Sequence, residues 1–482
     1  MSVHCPVNMY LILQIMKITF IGAVQQVTGS KHLIETADGK KILLDCGIFQ
    51  GKGLETDAMN RNLPFDPADI DHILLTHAHI DHSGLIPYMY HLGFRGSVVC
   101  TNATRDLCSI MLADSGHIQE SDTHTFNKKR RRQGKPAVEP LYTPEDARKS
   151  LELFIGVAYN RKFNIDENLS LQFTNTGHML GSAVVNLSVK EDGKTIRIAY
   201  TGDIGRPYNR LLSPPAPFPQ ADYLITESTY GNRLHPPLQN AEEELLRVVR
   251  ETCVVKKGKL IIPSFAIGRT QELVLVLNNY FNEGKLPRVP IYVDSPLAVN
   301  ATEIFRLHSE CFNQEVLDVM ENDPDPFGFG SLHYIRKASE SKSLNSSDAP
   351  MVIISASGMM EAGRVKHHLA NNLSDPRNTV LAVGYCAKGT LGDRIVRGDK
   401  EVSIFGNIHP VRADIESIEA FSGHGDYKEM ADFLEYQDKD QLKQIFLVHG
   451  ETDAAQAYRN YLANRGFQQV SIPVTGQEFL LT

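Results

Sequence analysis

His77-Ala78-His79-Ile80-Asp81-His82-Ser83-Gly84 places three imidazoles and a carboxylate within six consecutive positions, directly after the apolar run His72-Ile73-Leu74-Leu75-Thr76. Four ligand-type side chains on one turn at a predicted strand end cannot all face one ion, but two adjacent ions can share them. A dinuclear metal hydrolase needs that arrangement, with an open position left for water. Zinc takes imidazole nitrogen and carboxylate oxygen at about 2.0 to 2.2 Å, so each ion requires further ligands from other strand ends.

Three later segments offer them. Thr176-Gly177-His178-Met179-Leu180-Gly181-Ser182-Ala183 holds a histidine in a glycine-flanked turn. Ile196-Arg197-Ile198-Ala199-Tyr200-Thr201-Gly202-Asp203 ends a strand pattern on an aspartate, and Ile445-Phe446-Leu447-Val448-His449-Gly450-Glu451 ends one on a histidine. Each alone fits an ordinary turn as well as a ligand. Together with the first segment they complete two coordination shells.

The ordered set of Asp45, the His77 to His82 segment, His178, Asp203 and the later histidines resembles the metallo-β-lactamase superfamily. A narrower resemblance, to the β-CASP branch that processes nucleic acids, rests on Thr226-Glu227-Ser228-Thr229-Tyr230-Gly231-Asn232-Arg233, on Phe421-Ser422-Gly423-His424-Gly425-Asp426 and on Val448-His449-Gly450-Glu451. These are similar to that branch's motifs A, B and C, in its order, and the likeness runs from about Met16 to near the end of the chain. It implies an α/β fold: a metallo-β-lactamase αββα sandwich formed by residues 16–231 and 421–482, interrupted by an α/β β-CASP domain over 232–420.

The resemblance also implies roles. His77, His79 and His178 would hold one zinc, Asp81, His82 and His449 the other, and Asp203 would bridge them, giving two Zn2+ per chain. Asp45, in Leu43-Leu44-Asp45-Cys46-Gly47, would orient a ligand or the nucleophilic water. A phosphodiester needs an in-line nucleophile, charge stabilisation and a proton for the leaving alkoxide. The two zincs would supply a bridging hydroxide and the charge stabilisation. His424 would be the general acid, oriented and kept basic by Glu227, so that Asp45, Asp81, Glu227 and His424 form the expected catalytic group. A purely structural His424 between its two glycines is the alternative.

Composition agrees. A chain of 482 residues with 42% hydrophobic content exceeds one ordinary domain and supports sizeable cores. The seven cysteines are scattered with no CxxC pair, so neither a disulfide framework nor a thiolate zinc site is expected, and a reducing cytoplasmic location is. No apolar run reaches the roughly 20 residues that span a bilayer, so no membrane partner is expected. Met16-Lys17-Ile18-Thr19-Phe20-Ile21-Gly22-Ala23 reads as the first strand, which makes Met1 to Ile15 an upstream extension or an over-called start.

Further along, His32 to Thr36 and Lys41 to Leu44 flank Ala37-Asp38-Gly39-Lys40, a hairpin pattern. Leu260 to Pro263, Val289 to Val293 and Val352 to Ile354 read as buried strands followed by polar or glycine-bearing turns, where α/β sheets present ligand sites. Candidate phosphate contacts therefore include Ser264 and Arg269 at a predicted helix start, Ser357, Gly358 and Arg364 in the following turn, and Arg233 beside motif A. The turn Gly384-Tyr385-Cys386-Ala387-Lys388-Gly389-Thr390 is comparable. Lys128-Lys129-Arg130-Arg131-Arg132-Gln133-Gly134-Lys135 is the dense basic run. It either tracks a nucleic-acid backbone or is a solvated loop or helix end. A net charge of −8 argues against indiscriminate nucleic-acid binding.

In the family, a histidine in motif C accompanies RNA substrates, so His449 favours RNA. The expected function is a zinc-dependent ribonuclease cleaving single-stranded RNA to a 5′-phosphate and a 3′-hydroxyl, endonucleolytic with 5′-exonuclease action open. A DNA-processing β-CASP nuclease, a non-catalytic RNA-processing scaffold and a small-ester hydrolase are the alternatives. Expected assembly is a homodimer or an RNA-processing complex. Within the RNA group the chain is similar to compact bacterial and archaeal homologues of the endonuclease subunit of the eukaryotic pre-mRNA cleavage and polyadenylation factor. Neither the extra C-terminal domain of ribonuclease J nor N-terminal KH domains are expected.

Overall fold

The computed structural model describes residues 15–51, 54–235, 240–384, 386, 389–418 and 423–482. Of the sequence expectations, the proposed upstream extension up to residue 14, Phe421 and Ser422 of motif B, the boundary at 420/421, and Tyr385, Ala387 and Lys388 lie outside the described residues.

The strand Lys17–Gly22 buries Ile18 and Phe20 while Lys17 and Thr19 stay partly exposed, the alternation of a strand with one core face. It pairs antiparallel with Lys31–Glu35, which turns back into Lys41–Leu44 in the register His32 opposite Leu44 and Glu35 opposite Lys41. Gly39, at φ +89°, supplies the turn conformation closed to most L residues. Parallel strands His72–Leu74, Ser97–Thr101 and Phe154–Val157 extend this sheet on one side. Glu478–Leu480, from the far end of the chain, closes the other.

A second seven-stranded sheet runs Val470–Ser471, Gln444–Val448, Tyr223–Glu227, Lys194–Tyr200, Ala183–Glu191, Leu169–Asn175 and Phe163–Asn164. Its inner face meets the first sheet through Phe20, Ile42 and Leu44 on one side and Phe173, Val185, Tyr200 and Phe446 on the other. The Phe20 and Phe446 rings lie 4.9 Å apart, and truncating such a core aromatic to alanine costs about 3 to 5 kcal/mol. Helices Ile86–His91 and Asn102–Arg132 cover the outer face of the first sheet, with Met89 and Leu107 against Ile73 and Val98. Helices Tyr427–Leu434 and Thr452–Asn464 cover that of the second, through Phe433, Tyr458 and Leu462. The layers are helix, sheet, sheet, helix.

Between Tyr223–Glu227 and its parallel neighbour Gln444–Val448 the chain builds a third, wholly parallel sheet: Leu332–Tyr334, Ile291–Val293, Met351–Ser355, Lys259–Pro263, Thr379–Ala382 and Asp414–Ser417. All five residues of Lys259–Pro263 are buried. Leu260 and Ile262 pack toward Leu273 and Phe305 on one side and Ile261 toward Leu369 and Ile395 on the other, as expected of a parallel strand covered by helices on both faces. This body touches the sandwich where His308, at the end of helix Pro296–Leu307, meets Asp106 of helix Asn102–Arg132 at 2.9 Å. Ser213 Oγ also donates to the Phe312 carbonyl.

Candidate metal centre

Every predicted ligand sits where a strand ends. His77 follows His72–Leu74, Asp203 follows Lys194–Tyr200, His449 follows Gln444–Val448, and His178 lies in the turn joining Leu169–Asn175 to Ala183–Glu191. His79 precedes the single helical turn Ile80–Ser83, which carries Asp81 and His82. Folding the two sheets face to face brings these ends together.

Two clusters result: His77, His79, His178 and Asp203 in one, and Asp81, His82 and His449 in the other. Asp203 stands between them. Its Oδ2 lies 3.5 Å from His77 Nε2 and 3.4 Å from His178 Nε2, while its Oδ1 lies 3.3 Å from His82 Nε2. Asp203 Oδ1 is buried and has no hydrogen-bond partner among the described residues. In the first cluster, His79 Nδ1 is 3.2 Å from both His77 Nε2 and His178 Nε2. In the second, His82 Nε2 and His449 Nε2 are also 3.2 Å apart. Neighbouring ligand atoms around a tetrahedral zinc stand about 3.3 Å apart, given bonds of about 2.0 Å, so the nitrogens converge at the spacing a metal requires.

The other ring nitrogens determine which atom each histidine offers. His77 Nδ1 lies 3.0 Å from Thr76 Oγ1, which itself donates to Asp45; His82 Nδ1 lies 2.7 Å from Asp45; His178 Nδ1 lies 3.1 Å from the Gly423 carbonyl; His449 Nδ1 lies 3.0 Å from Thr229 Oγ1, which donates to the His449 carbonyl. Each Nδ1–H is therefore held by an oxygen acceptor, and each Nε2 is the atom turned to the centre. His79 differs, presenting Nδ1. Burial pushes the pKa values of His77, His79 and His178 down, which keeps those rings neutral as ligation requires.

Asp45 touches no other ligand than His82. It is wholly buried and accepts from Thr76 N at 2.7 Å, Thr76 Oγ1 at 2.8 Å and the Tyr200 hydroxyl at 2.9 Å, as well as from His82. Ser30 Oγ meets the Tyr200 hydroxyl at 2.7 Å. A carboxylate so saturated fixes the orientation of the His82 ring.

His424 stands beside the metal clusters, its ring 4.5 Å from that of His178. Its Nδ1 lies 3.1 Å from Glu227 Oε2, and Glu227 Oε1 accepts from the backbone of Ile204. Burial works against a charged ring, yet Glu227 and then Asp203 carry the His424 pKa up to about 9.

Three family profiles match this chain: the metallo-beta-lactamase superfamily over residues 29–100, the Beta-Casp domain over 270–395, and a Zn-dependent metallo-hydrolase RNA specificity domain over 408–473. Ribonuclease TTHA0252 of Thermus thermophilus is 36% identical, across 96% of this chain and 99% of its own. The chain belongs to the β-CASP branch of the metallo-β-lactamase superfamily. An RNase J-like protein of Methanocaldococcus jannaschii is also 36% identical, over 90% of this chain and 92% of its own. Transcription termination factor FttA of the same organism is 33% identical over 95% and 70%. A protein of unknown function from Enterococcus faecalis V583, whose crystal structure is known, shares the fold at 14% identity and a TM-score of 0.58, covering 97% of this chain and 100% of that one. This β-CASP protein is a metal-dependent hydrolase.

The candidate substrate contacts of the β-CASP hydrolase divide by environment. Ser264 and Gly358 meet at the carboxyl ends of the paired strands Lys259–Pro263 and Met351–Ser355, Gly358 lying against the ring of Phe265. Ser357 Oγ turns back on Ala362. Arg269 is largely covered and paired with Glu272. Arg364 is committed elsewhere: it donates to Asp294 at 2.6 Å and to the carbonyls of Ile335 and Arg336. Arg233 is exposed, and the same loop carries His235, whose Nε2 lies 2.9 Å from the His424 carbonyl. The basic run ends the 31-residue helix Asn102–Arg132.

Sequence reasoning overlooked Thr76 and Thr229, whose hydroxyls meet His77 and His449, and Tyr200, whose hydroxyl donates to Asp45. Their signal was adjacency: Thr76 precedes His77, and Tyr200 closes the strand leading to Asp203. It also overlooked Arg206, which is buried, pairs with Glu429 and has no hydrogen-bond partner at its Nη1 among the described residues.

Proposed function

We propose that this chain is a ribonuclease with two zinc ions, hydrolysing phosphodiester bonds of single-stranded RNA to leave a 5′-phosphate and a 3′-hydroxyl. The observation that carries the reading is Asp203, whose two oxygens face separate histidine sets while His424 and Glu227 stand at the same centre. His77 Nε2, His79 Nδ1 and His178 Nε2 would hold one ion, Asp81 with His82 Nε2 and His449 Nε2 the other, and Asp203 both. When bound, such a pair activates water and offsets charge on the phosphate.

The chain's own groups do the rest. Asp45 fixes the His82 ring. His424, protonated at neutral pH, gives its Nε2 proton to the departing 3′ oxygen, since Glu227 engages Nδ1. Ser264, Ser357 and Gly358 offer phosphate contacts at the strand ends, Arg233 does so from motif A, and Arg269 and Arg364 support those turns through their own ion pairs. Domain boundaries follow as 16–231 and 421–482 for the sandwich and 232–420 for the insertion. RNA is favoured over DNA because a histidine occupies motif C and because the RNA specificity profile covers residues 408–473. The similar proteins named as a ribonuclease and as RNase J-like support the same substrate.

Metal analysis combined with cleavage of unstructured RNA and DNA oligonucleotides, labelled at either end, tests this. Two zincs per chain and RNA cleavage abolished in Asp203→Ala are expected, and the product ladder separates endonuclease from exonuclease action. RNA cleavage surviving in Asp203→Ala at full metal content would sink the ligand assignment.

A further inference from the structure

A cavity of about 230 Å³ lies between helix Asn102–Arg132, the turn that carries the His79 to His82 ligands, and the start of helix Pro296–Leu307. Ile80, Met111, Ile118 and Leu297 give it apolar walls, and Gln50 and Asp114 give it polar edges. Ile80 is the residue between His79 and Asp81, so the cavity is walled in part by the turn that carries those two side chains. Leu297 comes from the inserted body, so the cavity also spans the cleft between the two bodies. Ile118 is 46% exposed, an apolar wall left partly in water.

Asp114 is the unusual member. It is half-buried, burial raises its pKa with His117 opposing, and it makes no hydrogen bond or ion pair among the described residues. Withdrawing part of a carboxylate from water without a donor carries a cost. A ligand with N–H groups on a flat apolar body would offset that cost. The volume is below the roughly 300 to 1,000 Å³ of sites for drug-sized ligands, which suits one small planar group.

We propose that this cavity is a subsite for a single base of the RNA strand beside the scissile phosphate, with the aliphatic walls against the base faces and Asp114 accepting from its edge. The proposal rests on the ribonuclease reading above. Guanine fits the carboxylate best, because its adjacent imino and amino N–H groups can meet both oxygens. Cytosine and adenine offer an amino group alone. Uracil offers one imino N–H between two carbonyl oxygens that repel a carboxylate.

The test uses the zinc-loaded full chain and an RNA whose cleavage position has been mapped, remade with each base or an abasic residue at the two nucleotides flanking that position. At one of them, guanine should exceed uracil and the abasic residue in kcat/KM by about tenfold. Asp114→Ala should remove that preference, and Leu297→Trp, which fills the cavity, should remove it without touching the carboxylate. Equal cleavage of base-bearing and abasic RNA at both nucleotides, or a preference that survives both substitutions, overturns the subsite while leaving the ribonuclease reading intact. Failure of the metal-loaded protein to cut any RNA overturns both.

Discussion

His82 is held between two carboxylates, Asp45 at 2.7 Å on Nδ1 and Asp203 at 3.3 Å from Nε2. Burial opposes a charge on the ring, but Asp203 and Asp45 raise its pKa well above the ordinary histidine value. An imidazolium cannot ligate, so metal uptake at neutral pH should release one proton from this residue. Titrating metal into the metal-free protein in buffers of different ionisation enthalpy measures that release, and a proton count of zero would remove His82 from the ligand set. His424 makes the complementary prediction. As an acid it must carry its proton, so kcat/KM should fall as pH rises through about 9. Glu227→Gln removes the main group raising that pKa and should move the fall to lower pH, whereas an unmoved profile would assign it to another group. His424→Ala should keep both metals and lower kcat by about two to four orders of magnitude; loss of metal in this variant would make His424 a ligand instead.

At the scale of the element, the turn Ile80–Ser83 is stapled to the chain just before strand Lys31–Glu35 and just after strand Lys41–Leu44. Ile48 N donates to the Ile80 carbonyl, Cys46 N to that of His82, and Ser30 N to that of Asp81. Gly47 permits this approach, because a Cβ there would stand 1.6 Å from the Asp81 carbonyl oxygen. Gly47→Ala should therefore displace the turn, lowering stability by about 1 to 3 kcal/mol and zinc content with it. Calorimetry and metal analysis check this together, and a variant with normal melting and full zinc would show that the turn can shift freely. Much of this level was legible in the sequence. The hairpin around Gly39 and the strands ending at Pro263, Val293 and Ser355 occur within a residue or two of the expected bounds, because apolar periodicity and turn glycines act locally. The glycine's close contact was not legible, since Asp81 is far from Gly47 along the chain.

The whole molecule closes around the centre. His449 returns to it only after the third sheet has been built, and strand Gln444–Val448 pairs with Tyr223–Glu227 along its full length, Tyr223 opposite Gln444 through Glu227 opposite Val448. Metal bound there joins segments on both sides of the insertion, so chelation should destabilise the folded chain as a linkage effect, by about 4 kcal/mol relative to free metal at a thousandfold excess over Kd. Thermal melts with and without chelator measure this, and restoring zinc should restore Tm. Identical melts would mean that the site contributes no binding energy in the folded state. No helix among the described residues is long and apolar enough to cross a membrane.

The likeness to motifs A and B implied that His424 and Glu227 belong with the centre; the sequence by itself determined which side chains can ligate and that the centre uses imidazole and carboxylate. These are properties of residue type and short spacing, and they survive without a structure. Only the tertiary structure decided which oxygen of Asp203 faces each histidine set, which nitrogen each histidine presents, that Asp45 serves His82 through a hydroxyl-lined pocket, and that Arg364 is occupied by Asp294. The reason is physical: the spacing between strand ends is set by sheet order and register, which depend on pairings between residues far apart in the chain.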